Sequence, residues 1–144
     1  MTVNIDNVRA TLDSIRQHGP EHFDMSCWFA AVDTAEFDLW DASQINLNRC
    51  GTTGCLAGHA AVAAWNMGVD VTRWQPEHAA DWLGLPGGGY VGSDDYFSGG
   101  AEWPEAWRRY RDARMVDEDL ITAEWHTVIW GLEQLIKKAE ERAE

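Results

Sequence analysis

The amino-acid sequence predicts a mainly α-helical protein, a single compact domain over 1–144, with at most one small β-hairpin and a glycine-rich loop. Three observations carry that prediction. Apolar residues recur at helical spacing near both ends of the chain, a central run is small or apolar at almost every position, and strand-like alternation is confined to one short stretch. A length of 144 residues suits one hydrophobic core.

The elements follow in order. Residues 4–18 form a helix in which Asn4 serves as cap and Ile5, Val8, Leu12 and Ile15 make one apolar stripe. Gly19-Pro20 ends it. The aromatic stretch FDMSCWFAAV reads as a further, partly buried helical segment. In EFDLWDASQINLNR, Phe37/Leu39 and Ile45/Leu47 alternate with polar residues around Asp-Ala-Ser, which is the hairpin signal. A helix runs from about Cys55 to Met67 and stops at Gly68. Its residues are small or apolar on nearly every side, so it is a central helix packed all round, and Gly58 marks a close approach by another backbone.

PEHAADWLGL is a short helix opened by Pro76, with Trp82 and Leu83 turned inward. Six of the fifteen residues of PGGGYVGSDDYFSGG are glycine, so this is a loop and the expected mobile element. WPEAWRRYRDA is a short helix bearing the chain's one basic cluster. The last helix covers 119–143, with Ile121, Trp125, Val128, Leu132, Leu135 and Ala139 as its apolar stripe. Acids at 117–119 and Lys137, Lys138 and Arg142 near its end suit the helix dipole.

Charge narrows the function classes. The net charge is −13, which disfavours direct nucleic-acid binding, since that requires a positive footprint. Six carboxylates and no base lie between Arg16 and Arg49, and six more between Arg73 and Arg108. Such acidic stretches solvate a surface or dock on a basic partner. No apolar run is long enough to span a bilayer, so no membrane role is expected. The polar opening MTVNIDNVRATLD predicts no secretory leader, and three cysteines predict reduced thiols in a cytoplasm. Nine Arg against two Lys, with abundant Ala, Gly and Trp, indicate a GC-rich coding genome such as those of actinobacteria and their phages.

The motif with the most chemistry is RCGTTGCLAGHAA, and four readings compete for it. As a zinc clip, Cys55 and His59 share a helix face at i, i+4, joined by Cys50 and Cys27. As a thiol enzyme, Cys55 near a helix start would have a lowered pKa. SCWFAAV resembles the Cys-Trp helix start of papain-like proteases, but no Asn follows Asn66 to orient a later His. As an anion cradle, backbone N–H groups and the hydroxyls of Thr52 and Thr53 would hold a phosphate or carboxylate. As structure, Thr52 or Thr53 caps the central helix, and the cysteines pack as small hydrophobes. The structural reading is favoured.

In order, FDMSCWF, CGTTGCLAGHAA, AADWLGL and YFSGGAEWPEAW resemble a family of small uncharacterised proteins of bacteria and their phages. Its members share a Phe-Asp-Met-x-x-Trp segment, a Cys-Gly-Thr-x-x-Cys-x-Ala-Gly turn, a Leu-Gly-Leu helix and a Phe…Trp-Pro segment. The resemblance covers roughly residues 5–110 and implies origin and order of elements, not an activity. Relative to shorter members, 33–48 reads as an insertion.

The sequence therefore leads to a non-enzymatic, acidic cytoplasmic protein, phage-encoded, that binds a host protein or a small anionic ligand without a cofactor. The expected binding residues are Thr52, Thr53, Asp94, Asp95, Trp103 and Trp107, because acids and excess tryptophan suit an interaction surface. The alternative is a metal- or thiol-dependent enzyme centred on Cys50, Cys55 and His59, with Cys27 completing a zinc site.

Overall fold

The computed structural model describes residues 3–24, 29–30, 43, 45, 47, 53–74, 76–84 and 104–143. It is mainly α-helical. The described residues form five helices, α1 (Ile5–His18), α2 (Leu56–Asn66), α3 (Pro76–Leu83), α4 (Glu105–Arg114) and α5 (Leu120–Ala143), and one small pair of strands, β1 (Phe29–Ala30) and β2 (Thr53–Gly54).

Helix α1 starts where an extended Asn4 turns its side chain to accept from the Asn7 N–H. Val8, Leu12 and Ile15 bury one face, with Asn7 and Thr11 beside them. The Thr11 hydroxyl donates to the Asn7 carbonyl, which satisfies it without water. Gly19 ends the helix at φ 78°, a left-handed value that glycine adopts without strain, and a 3₁₀ turn over Pro20–His22 follows. The start of α1 is tied to the end of α3: Asn4 N–H donates to the Leu83 carbonyl, and Asn7 Nδ2 donates to that of Trp82.

The expected helical segment FDMSCWFAAV is corrected at its described residues, Phe23, Asp24, Phe29 and Ala30, while 25–28 and 31–32 lie outside the described residues. Phe23 forms a parallel bridge with Gly54, Asp24 N–H donates to the Gly54 carbonyl, and Phe29–Ala30 pairs antiparallel with Thr53–Gly54. An extended partner at Gly54 satisfies these peptide groups from outside the segment, so helical hydrogen bonds are not needed there. The expected hairpin within 37–48 lies largely outside the described residues, and the observed strands flank that segment instead. Ile45 and Leu47, at strand-like spacing, are both buried against α2.

Helix α2 lies between two apolar clusters, which explains why its sequence has no polar face. Leu56, Ala57 and Ala60 join α1, α3, α4 and α5 in the larger cluster. Ala61, Val62 and Ala64 join Ile45, Leu47 and Val71 in the smaller. Gly68, at φ 89°, follows its last turn in the left-handed conformation that ends many helices.

Helices α4 and α5 form a helical hairpin. Trp107 packs against Gly131, where an added Cβ would come within 2.2 Å of the indole. The buried face of α5 is corrected as well. Ala123, Thr127, Val128, Leu132 and Ile136 are buried, together with Glu124. Ile121 is exposed, and Trp125 and Leu135 are only half-buried. The expected stripe and the observed one coincide at Val128 and Leu132 and diverge towards both ends. Strict i, i+4 rows tilt across a straight helix, and the buried rows here begin at Ala123 and Glu124. Trp125 instead reaches across to α1, its indole N–H donating to the Ile15 carbonyl at 2.9 Å.

Candidate functional site

Four of the residues singled out by the sequence, Thr53, Cys55, His59 and Trp107, lie within the described structure. Cys27, Cys50, Thr52, Asp94, Asp95 and Trp103 lie outside the described residues.

The cap of α2 is Cys55, not a threonine. Its backbone is extended, and its sulfur accepts from the Gly58 N–H at 3.4 Å. The expected threonine cap fails at Thr53 for a structural reason: Thr53 and Gly54 are committed to β2, so the helix cannot begin until Leu56. The Cys55 thiol is buried and serves as a weak acceptor.

One turn further on, His59 is fully buried. Its Nε2 lies 3.0 Å from the His22 carbonyl oxygen, which can only accept, so Nε2 carries the proton. Nδ1 is then an acceptor and takes the hydroxyl hydrogen of Ser14, 3.0 Å away on α1. His18 donates from its own Nδ1 to the Ser14 carbonyl at 2.7 Å. The His18 ring centroid is 6.0 Å from that of His22 and 5.8 Å from that of His59. Phe23 closes the group, its ring 5.9 Å from His59. Burial pushes the imidazolium of His59 down to about 3, reinforced by the nearby rings of His18 and His22 and only partly opposed by the hydrogen bond to the His22 carbonyl. The ring is neutral at physiological pH.

A serine hydroxyl bonded to an imidazole has the outline of a nucleophile and its base. The chemistry is wrong for one. A general base works best with a pKa near the operating pH, and His59 is several units too acidic. The same hydrogen bonds bear on zinc. Both ring nitrogens of His59 are engaged, so metal ligation would have to displace either Ser14 or the His22 carbonyl. Among the described residues, no three His, Cys, Asp or Glu side chains are grouped as metal ligands. What the arrangement does is join α1, the 3₁₀ turn and α2 through one polar knot, with His59 buried and Ser14, His18 and His22 half-buried around it.

Sequence reasoning missed Ser14, His18 and His22. A signal for partners was present, since a histidine on an otherwise apolar helix must find two hydrogen bonds if buried. Their identity was not legible, because Ser14 stands 45 positions away. Trp107, expected on a binding surface, is 5% exposed and belongs to the core. Among the described residues, no helix is long and apolar enough to cross a membrane. Compared with known proteins, the chain matches no family model, no curated protein and no solved structure, so its function is read from its own residues.

Proposed function

We propose that this chain is a non-enzymatic binding protein, phage-encoded and acting in the host cytoplasm, that captures a host protein in a takeover or counter-defence role. The observation that carries the reading is the state of His59. The imidazole of the serine–imidazole pair at the conspicuous motif is fully buried, neutral and hydrogen-bonded at both nitrogens, which suits a structural element and not a catalyst. Of the two ligand classes expected from sequence, a protein partner is favoured over a small anion. A net charge of −13 works against gathering an anion, and the Thr53 backbone is spent on a strand partner. The same charge works against nucleic acid.

The test combines affinity capture with metal analysis on the full chain. A bacterial protein held in stoichiometric amounts, undisturbed by chelator, is the expected result. One equivalent of tightly held zinc, lost together with capture or turnover in Cys50→Ser and Cys55→Ser, would overturn the proposal in favour of a metal-dependent enzyme.

A further inference from the structure

The α4–α5 hairpin is closed at its base and open at its tip. Within seven consecutive residues, four large apolar side chains face solvent: Met115 at 43% exposure, Val116 at 81%, Leu120 at 49% and Ile121 at 43%. They are held there by an ordered turn. Met115 N–H donates to the Arg111 carbonyl, and both Asp117 and Glu118 donate to that of Arg114. Asp119 then accepts from the Thr122 N–H at 2.7 Å, capping α5. Glu118 is braced on both sides, by Arg114 at 3.3 Å and by His126 Nδ1 at 2.6 Å, the latter off the line of a good hydrogen bond. A turn fixed in this way does not fold its apolar residues back into the core.

We infer that this tip is the docking surface of the binding protein proposed above, and that its partner is a basic amphipathic segment of another protein. The inference rests on that proposal for the existence of a partner. Charge selects the kind. Residues 111–124 carry five carboxylates against two arginines. Both arginines are already engaged, Arg111 with Asp112 and Arg114 with Glu118. Asp117 and Asp119 give the tip its outward charge, and the hydrogen bonds from Thr122 hold the Asp119 carboxyl below the usual carboxylate range, so it stays ionised.

A second copy of this chain placed symmetrically on the tip would set Asp117 and Asp119 against their own counterparts, which like charge disfavours. An anionic bilayer meets the same repulsion. An amphipathic helix with Lys or Arg beside its apolar face would bury Met115, Val116, Leu120 and Ile121 and neutralise the rim.

The experiment titrates the full chain with an eighteen-residue Leu/Lys amphipathic peptide and its Leu/Glu counterpart, at 0.15 M salt, reading heat of binding. The Leu/Lys peptide should bind, the Leu/Glu peptide should not, and the double variant Val116→Asp, Ile121→Asp should weaken binding by about tenfold or more, since buried apolar anchors dominate such interfaces. An unchanged melting temperature shows that the variant is folded. Equal binding of the two peptides, or equal binding by the variant, overturns the inference. So does binding to anionic phosphatidylglycerol vesicles, or concentration-dependent dimerisation, that the double variant abolishes. Capture from lysate separates the two failures. A bacterial protein held equally by wild type and variant overturns the tip and leaves the binding protein standing, whereas no capture by wild type overturns both.

Discussion

The surroundings of α2 and the tip of the α4–α5 hairpin treat apolar side chains in opposite ways. Around α2, every residue from Leu56 to Ala64 is buried, and the one polar side chain among them is neutral and hydrogen-bonded on both sides. At the hairpin tip, four large apolar residues stay in water beside the Asp119 carboxylate, which its hydrogen bonds from Thr122 keep charged. The first pattern is what stability requires. Burying apolar area is the main favourable contribution to folding, and a polar group there is tolerated only when satisfied. The second contributes little to folding, and the docking role inferred above would account for it.

The sharpest way to break this comparison is through His59, where the largest effect is expected. Its pKa is about 3 in the folded chain against an ordinary 6.5. Between those values the unfolded chain takes up a proton that the folded chain refuses. This part of the stability is therefore complete above pH 6.5 and is lost as the pH falls towards 3, and its size is on the order of a few kcal/mol. His59→Leu should lose roughly 1–3 kcal/mol at pH 7.5, because the Ser14 hydroxyl and the His22 carbonyl lose their partner. It should also show a flatter decline from pH 6.5 to 4 than wild type. Urea denaturation across that range checks both, and parallel curves for the two proteins would mean that His59 is accessible to protons in the folded state.

Much of this contrast was legible in the sequence, and the remainder has identifiable physical reasons. Asn4 as a cap, Gly19 and Gly68 as helix ends, and α2 as an enclosed helix all follow from local chemistry, and they appear as read. The start of α2 was misplaced onto a threonine because the pairing that holds Thr53 and Gly54 in β2 comes from Phe23, Phe29 and Ala30, far along the chain. The stripe of α5 drifted because Trp125 reads as core by hydropathy, while its indole N–H is drawn to the Ile15 carbonyl. The polar knot was illegible beyond His59 itself, since nothing local marks Ser14 as its partner. Helix periodicity is short-range information, whereas strand pairing and buried hydrogen bonds are not.

The hairpin base supplies the next test, because two effects of opposite sign meet there. Gly131→Ala should gain about 1 kcal/mol on helix propensity alone. The added Cβ, however, would lie 2.2 Å from a ring atom of Trp107, a buried and rigid neighbour. Overpacking of that kind costs typically about 1–3 kcal/mol and sometimes more, so the net change should be destabilising. A rise in melting temperature would show that Trp107 gives way to the added methyl group at the hairpin base.

A smaller effect is expected at Cys55. Alanine there removes the sulfur that accepts from the Gly58 N–H at the start of α2, and the loss should be close to the ~1 kcal/mol typical of a cap. Serine should sit near wild type instead, because its hydroxyl is a better cap than a thiol while its burial is less favourable. Thermal melts of the two variants separate capping from simple packing: if serine destabilises more than alanine, the sulfur acts as a hydrophobe and its contact with the Gly58 N–H is incidental.

The smallest effect on folding should come from the tip itself. Val116→Asp and Ile121→Asp replace side chains that the fold already leaves in water, and substitutions at such positions usually move stability by no more than about ±0.5 kcal/mol. Some loss from added negative charge beside Asp117 and Asp119 is expected at low salt and should fade as salt rises, since these charges are exposed and readily screened. An exchange of valine for aspartate at Val128, buried on the same helix, would by contrast leave a carboxylate without water and unfold the protein. The two ends of one hairpin then give opposite answers to the same substitution. If Val116→Asp destabilised the chain as Val128→Asp does, the tip would be part of the core and its apolar residues would have no partner to explain.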